Sequence, residues 1–260
     1  MEAAHRLGIL TAASLMVAGP AVDHAIAIAR RVPTLKVGLH LVATEGAPVL
    51  PASSLSGLVE EEGWLRKDMV ALGFDIALRK PLRRLLAKEI EAQFAAFAGT
   101  GLALDHVNAH KHFHVHPVIA DMVLSIGAAY GMKALRVPRE PRRVLAAVER
   151  LPRLAPPDVM APWARLLASR ASRQRLLVPD RVFGIRWSGA MTAGRLAGIL
   201  RNLPAGLVEI YTHPATGNGF PGAAPGYRYR DELAALVDPD VIALMSRLAH
   251  RAGGYSDVHG

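Results

Sequence analysis

The most informative segment of this chain is Leu104-Asp105-His106-Val107-Asn108-Ala109-His110-Lys111-His112-Phe113-His114-Val115-His116-Pro117. It contains five of the chain's 11 histidines. An apolar, strand-like run at residues 101–104 precedes it, and a helical pattern at residues 118–130 follows. The histidines therefore fall where a buried strand ends and a helix begins, which is the sheet edge where α/β proteins build their active sites.

The histidines can be sorted by strand geometry, because side chains along a strand alternate between two faces. One parity is shared by His106, Asn108, His110, His112, His114 and His116. If the strand ends near Ala109, it fixes only the first of these, and the later ones lie on a loop where they can converge. Neutral imidazole is the commonest protein ligand for divalent transition metals. The density of histidines favours a metal or catalytic site over a polar loop that only caps the next helix.

Two further histidines follow predicted strands. His40 lies near the end of a strand at residues 36–42, and His213 follows a buried strand at residues 207–211. A lone histidine on an apolar strand is usually a core residue, but three placements at strand ends predict one common site.

Composition limits the class of protein. The chain has 260 residues, is 51% hydrophobic and lacks cysteine, which excludes disulfides and fits a reducing compartment. We predict one domain over residues 1–260 with a basic helical excursion at about residues 139–179. The start of the chain has no signal-peptide pattern, and no apolar run reaches the roughly 18 residues of a membrane span, so we expect a cytoplasmic protein.

The formal net charge of +9 is concentrated in one region. From Arg136 to Arg186 the chain has 12 arginines, no lysine and four acidic residues, which indicates a local anionic partner. Within it, residues 158–177 interleave Trp163 and leucines with arginines. This pattern fits either an interfacial helix on anionic lipid or an inserted helix with a solvated arginine face. No nucleic-acid-binding motif is present, so nucleic acid is not an expected partner.

Predicted strands alternate with helices along the chain, which indicates a mostly parallel sheet with helices outside it. We predict an irregular TIM-like (β/α) barrel, with an open doubly wound sheet as the alternative. Short strands are also expected at residues 134–137, 180–187 and 255–256. Residues 43–80 are predicted to form a long irregular segment over the site.

Three motifs together resemble one family: His40 within Val37-Gly38-Leu39-His40-Leu41, the run from Asn108 to Pro117, and Tyr211-Thr212-His213-Pro214. They resemble the YdjC-type carbohydrate deacetylases, above all the hopanoid-biosynthesis-associated, HpnK-like branch. The resemblance implies an irregular (β/α) barrel, a divalent metal ion (Mg²⁺ or Zn²⁺) and hydrolysis of an N-acetyl group from an amino sugar. In that branch the implied substrate is an N-acetylglucosaminyl hopanoid lipid.

The resemblance also implies residue roles. His40 and His110 match the family's metal histidines, and His213 matches the histidine near the reacting centre, which would protonate the amine or stabilise the oxyanion. The remaining positions, expected to contact substrate or to orient the metal ligands, are Asn108, His112, His114 and Arg136. Asn108 stands where many members carry aspartate.

One departure concerns the carboxylate ligand. The family opens with a strand that ends in Asp-Asp-Phe-Gly, and this motif is not found in the sequence. We therefore expect the first strand of the barrel to be missing from this chain, through a late start or in a degraded copy, with weak metal binding and little turnover. Asp105 is the nearest carboxylate, but its parity is opposite to that of His106 and His110. Asp23 and Glu45 are weaker candidates.

Two alternatives to this function remain: another metal-dependent amidohydrolase on a TIM-like barrel, or a non-catalytic metal- or anion-binding protein. The expected partner is an amino sugar or a glycolipid. Peripheral contact with the inner membrane follows if the arginine-rich helix is interfacial, and a homodimer is compatible with the sequence.

Overall fold

The computed structural model describes residues 1–151, 159–248 and 251–258. Its strands are β1 (Ala12–Leu15), β2 (Lys36–Leu41), β3 (Val107–Ala109), β4 (Arg181–Phe183) and β5 (Val208–Ile210). Its α-helices are α1 (Glu2–Arg6), α2 (Val22–Arg31), α3 (Met69–Leu78), α4 (Lys80–Gly99), α5 (Pro117–Ala129), α6 (Arg142–Val148), α7 (Ala161–Arg173), α8 (Ala193–Arg201), α9 (Tyr229–Leu236) and α10 (Pro239–Arg247). Short 3₁₀ segments span Ala52–Ser54, His110–Val115 and Tyr255–Asp257.

The first compact unit comprises Ala12–Arg136, Arg165–Leu177 and Gly254–Gly260. Within it, β1 pairs with β2, and β2 pairs with β3, both in parallel. Two single parallel bridges, Val107 to Leu135 and Ala134 to Leu177, extend the sheet beyond β3. The predicted strand at residues 134–137 is thus reduced to a two-residue contact.

The second compact unit comprises Met1–Thr11, Val137–Ala164 and Val178–Gly253. Here β4 and β5 pair in parallel, and the Arg139 carbonyl accepts a hydrogen bond from the Val182 backbone N–H. Its core is a cluster of buried apolar residues that includes Leu145, Phe183, Trp187, Met191, Leu196, Leu200, Leu236 and Val241. Thr192 caps α8 and Asp238 caps α10, each by accepting from a backbone N–H of the first turn.

The parallel α/β class is confirmed, but the barrel is not. Within the described residues the strands form one three-stranded and one two-stranded sheet, and no pairing closes a barrel. The TIM-like barrel and the single domain stay predictions. The basic excursion contributes α6 and α7, while its residues 152–158, including the predicted start of the interfacial helix at Asp158, lie outside the described residues.

Three local predictions were wrong. Residues 101–104 do not form a strand, because Gly101 takes a left-handed turn (φ 73°) after α4, and strand pairing starts later, with β3 at Val107. Residues 255–256 belong to a 3₁₀ turn, because Asp105 and Asp257 accept the backbone N–H groups of this segment. Residues 43–80 are not wholly irregular, since Asp68 caps α3 through the Ala71 N–H.

Polar side chains of α4 form hydrogen bonds with the backbone of the loop that follows β2. Gln93 accepts from the Val42 N–H (2.8 Å) and donates to the Val42 carbonyl (2.7 Å). The carboxylate of Glu89 accepts from the N–H groups of Val49 and Leu50 at 2.8 and 2.9 Å. Both side chains are buried, and these bonds fix the chain immediately after His40.

A third buried polar group, the carboxylate of Asp105, ties the sheet to residues 254–258. It accepts from the ring of His106 (2.8 Å), from the N–H groups of Tyr255 and Ser256 (3.1 and 2.9 Å), and from the Ser256 hydroxyl (2.7 Å). Desolvation alone would raise the pKa of Asp105, but the hydrogen bonds from His106 and Ser256 hold it well below its ordinary value. The group therefore stays ionised in the folded protein.

We expect Asp105→Asn to destabilise the protein by about 1.5–3 kcal/mol at neutral pH, the usual effect of losing hydrogen bonds to a charged group. Because the folded-state pKa of Asp105 is lowered, its stabilisation is present above about pH 4 and is lost as pH falls through the folded pKa. The gap between wild type and variant should therefore narrow in acid, as measured by urea unfolding between pH 7 and pH 3. Asp23→Asn, at an exposed position on α2, is the control. A gap that does not change with pH would contradict this assignment.

Candidate active site

The site begins with two residues on neighbouring strands. In the parallel register of β2 and β3, His40 lies directly opposite Asn108. The Nδ1 atom of His40 is 2.6 Å from the Oδ1 atom of Asn108. The ring of His110 lies edge-on to that of His40, with 5.8 Å between their centroids. Three of the predicted site residues are thus brought together at the carboxyl end of the sheet.

Strand β3 ends at Ala109, so strand parity fixes only the first residues of the histidine segment, as expected for a strand of this length. His110 starts a 3₁₀ segment, and Lys111 and His112 adopt left-handed conformations (φ 51° and 54°). Glu45, whose carboxylate pairs with the Lys111 ammonium group, is also left-handed (φ 49°). Such strain in residues other than glycine concentrates at functional sites, where the surrounding structure enforces it.

The electrostatic surroundings favour a neutral His110. Burial lowers its pKa, and the charge of Lys111 lowers it further, while Glu45 acts in the opposite direction. Neutral imidazole is the form that binds metal ions. His110 is therefore in the protonation state that its predicted role requires.

The other histidines of the segment have structural contacts. His114 is fully buried, and its Nε2 atom lies 2.7 Å from the Arg136 carbonyl. The Arg136 N–H donates to the Val107 carbonyl, and its side chain is also buried. His112 lies with its ring centroid 6.2 Å from that of His114. Substrate contact by His112, His114 and Arg136 remains a prediction.

His213 belongs to the other compact unit, where it follows β5. Its ring meets Tyr211 and Tyr227 edge-on, at centroid distances of 5.5 and 5.1 Å. Its backbone N–H donates to Glu232, whose carboxylate also lies 3.8 Å from the His213 Nδ1 atom. Glu232 accepts a further hydrogen bond from the Met191 N–H at 2.9 Å. Burial raises the pKa of Glu232, and bonds from backbone N–H groups oppose this shift.

Several residues that hold the predicted site residues within their own compact unit were missed from sequence. Glu232 is a buried carboxylate on the inner face of α9, and Ser14 is a hydroxyl within an otherwise apolar strand, so each offered only a weak signal. Gly38 is a third: a Cβ there would lie 2.6 Å from the ring of His106. Strand parity predicted that Asp105 points away from His106 and His110; this was wrong for His106, because the Asp105 carboxylate lies 2.8 Å from the His106 Nδ1 atom.

The arrangement of His40 and His110 fits part of a metal site. Two adjacent imidazoles, one of them oriented by a buried amide, match the ligand and outer-partner pattern of protein metal centres. In the described ranges no group of three or more His, Cys, Asp or Glu side chains is placed to hold a metal ion. The structure therefore brings the two predicted metal histidines, His40 and His110, side by side, and metal binding by them stays a prediction.

The chain belongs to the YdjC-like protein family, whose model matches residues 1–247. A carbohydrate deacetylase of Brevibacillus brevis is 38% identical over 217 residues, covering 82% of this chain and 73% of that protein. A mouse protein of the same name is 32% identical over 233 residues, covering 84% and 72%. A chitooligosaccharide deacetylase of Enterobacter sp. strain 638 is 34% identical over 138 residues, about half of each chain.

One solved structure has the same fold. The crystal structure of a protein from Enterococcus faecalis V583, described as a cellobiose-phosphate cleavage protein, superposes with a TM-score of 0.75. It covers 99% of this chain and 91% of its own, at 20% sequence identity. This likeness concerns the fold alone.

Glu232→Gln should destabilise the protein by about 1–3 kcal/mol, because the NH₂ group that replaces one carboxylate oxygen leaves a backbone N–H donor without its acceptor. Urea unfolding measures the loss. Asp231→Asn, on the same helix but in an exposed ion pair with Arg228, should change stability by less than about 1 kcal/mol. Equal effects of the two substitutions would show that Glu232 does not anchor the His213 segment.

Proposed function

We propose that this protein is a metal-dependent carbohydrate deacetylase that hydrolyses the N-acetyl group of an amino sugar. The observation that carries the proposal is the placement of His40, Asn108 and His110 together at the carboxyl edge of the parallel sheet. In parallel α/β folds this edge is where catalytic groups converge.

The enzyme class has direct support. Relatives that are 32–38% identical over more than four-fifths of this chain are named carbohydrate deacetylases, which confirms the prediction of a hydrolase of this class. The metal ion, its identity as Mg²⁺ or Zn²⁺, and the choice of amino sugar are parts of the proposal that go beyond these names.

Amide hydrolysis needs an activated water, a polarised carbonyl and a proton for the leaving amine. A divalent metal, when bound, supplies the first two. His40 and His110 would hold it through their neutral imidazoles, with Asn108 orienting the His40 ring. His213, whose loop is anchored by Glu232, would protonate the departing amine or stabilise the oxyanion.

The substrate that we propose is an N-acetylglucosaminyl glycolipid, with a hopanoid as its lipid. Besides the resemblance of the motifs, an exposed apolar stripe supports it. Val70, Phe74 and Leu78 are spaced one helical turn apart on α3 and are 71%, 67% and 80% exposed. On the buried side of α3, which includes Gly73, a Cβ added to this glycine would lie 3.5 Å from the ring of His116. The stripe is thus carried by a helix that packs on the histidine segment, where it can receive the apolar part of a glycolipid.

Peripheral membrane contact is a further part of the proposal. Trp163 and Leu166 on α7 are 48% and 38% exposed, while Ala164, Leu167 and Ala171 are buried. Arg170 donates to Asp121 and to the Pro117 carbonyl, so it fastens α7 to α5. Of the described helices, none has the length and apolar character that a membrane crossing requires.

Substituting either metal histidine, His40→Gln or His110→Gln, should lower zinc affinity and acetate release from N-acetylglucosamine oligosaccharides at least about 100-fold, because each removes a proposed ligand. Calorimetry with Zn²⁺ and an acetate assay on metal-loaded protein measure the two effects. His24→Gln, an exposed histidine on α2, should behave as wild type. Full activity in either site variant would refute the metal assignment.

The double substitution Phe74→Ser and Leu78→Ser should reduce kcat/KM for a lipid-linked N-acetylglucosaminyl substrate about 10-fold or more, since each loses apolar contact. Activity on a soluble chitooligosaccharide should stay unchanged. Leu7→Ser, at an apolar position that is 69% exposed and has no proposed role, is the control and should change neither activity. Separately, Trp163→Ser with Leu166→Ser should reduce flotation with anionic liposomes, which tests the membrane contact. Equal losses on both substrates would argue against a lipid-binding stripe.

A further inference from the structure

We propose that a chain of four hydrogen bonds, which starts at Asp105 and ends at His40, fixes the imidazole of His40 in the tautomer that carries its proton on Nδ1. The intermediate members are His106, Ser14 and Asn108. The effect of this tautomer on a bound metal ion rests on the proposed function, whereas the tautomer of His40 itself does not.

The four bonds are continuous through side chains of β1, β2 and β3 and of the segment before β3. Asp105 Oδ2 is 2.8 Å from His106 Nδ1, and His106 Nε2 is 2.9 Å from Ser14 Oγ. Ser14 Oγ is 2.8 Å from Asn108 Nδ2, and Asn108 Oδ1 is 2.6 Å from His40 Nδ1. Asp105, His106 and Asn108 are at most 5% exposed, so water competes little for these bonds.

The direction of the chain is set at Asp105. Hydrogen bonds hold the pKa of this carboxyl well below its usual range, so it is ionised and can only accept. Nδ1 of His106 must therefore donate to it. In a neutral imidazole the other nitrogen, Nε2, then carries a lone pair and must accept.

Each later member follows from the one before it. Ser14 donates its single hydroxyl proton to His106 Nε2, so its oxygen accepts from Asn108. Asn108 turns its amide NH₂ group to Ser14, which leaves its carbonyl oxygen facing His40. A carbonyl oxygen accepts only, so the proton between Asn108 and His40 is on His40 Nδ1. The lone pair of His40 is consequently on Nε2.

The packing around the chain leaves these groups little freedom to rearrange. The ring of Tyr255 stacks on that of His106 at a centroid distance of 4.9 Å. On another side, the absence of a side chain at Gly38 makes room for the His106 ring. A metal ligand whose other ring nitrogen is bonded to a fixed acceptor is both oriented and more basic. Asn108, Ser14 and His106 are thus positioning residues for His40.

The test is the ¹⁵N spectrum of the imidazole rings in metal-free protein, which distinguishes the two tautomers. The His40 signals are assigned by their loss in His40→Gln. We expect the Nδ1–H tautomer in wild type and in Asn108→Asp, which keeps the acceptor. Asn108→Leu should shift His40 towards the Nε2–H tautomer, and Ser14→Ala, which interrupts the chain earlier, should do so partially.

Ile90→Ala controls for general destabilisation, because it removes a buried side chain of α4 outside the chain of hydrogen bonds; it should leave the tautomer unchanged. A mixed tautomer in wild type, or a wild-type spectrum in both Asn108→Leu and Ser14→Ala, would overturn the inference. A wild-type spectrum in Ser14→Ala alone would also overturn it, because Asn108 would then act without the chain.

Zinc calorimetry separates this inference from the proposed function. Asn108→Leu should weaken zinc binding by about 10–100-fold, the usual effect of losing an outer partner of a metal ligand, and Asn108→Asp should restore it. If wild type shows the Nδ1–H tautomer but binds no zinc, the proposed metal chemistry fails while the chain of hydrogen bonds stands. If zinc binds equally in all variants, the positioning role fails.

Discussion

The parallel pairing of β2 with β3 is the constraint on which the candidate site depends. Its register places His40 opposite Asn108, and the end of β3 one residue later releases His110 to turn back towards His40. If the register of this pairing shifted by one residue, the side chains of one strand would move to the opposite face of the sheet, and His40 would no longer meet Asn108. The contacts of Gln93 with Val42 and of Asp105 with Ser256 hold the two strands from either end.

In both compact units, buried carboxylates fix loops by accepting hydrogen bonds from backbone N–H groups. Glu89, Asp105 and Glu232, which are buried, and Glu140, which is half-buried, each accept backbone N–H groups from a loop, as Glu140 does from Gly184, Ile185 and Arg186. An unpaired buried charge is strongly destabilising, whereas one with several donors is tolerated and sets the geometry of the loop it binds. Glu89 fixes the loop after β2, next to His40, in this way. Glu232 does the same for the segment after β5 that contains His213.

Much of this arrangement follows from the sequence. The helix at residues 117–129 matches the helical pattern predicted at residues 118–130, and the histidines fall at strand ends as expected. The strand ends at Ala109, as the sequence analysis allowed, but the left-handed conformations of Lys111 and His112 have no signal in the composition. The short strand at residues 255–256 was wrong because a carboxylate 150 residues away reorganises that backbone.

The residue pattern alone therefore establishes the parallel α/β class, the family and the histidines at strand ends, since periodicity and local motifs are properties of neighbouring residues. Only the tertiary structure decides that Ser14, 92 residues from His106, lies between His106 and Asn108. It alone also decides that Glu232 anchors the segment of His213. The reason is physical: which buried donor meets which acceptor is settled by the packing of distant segments, where each polar group must find a partner away from water.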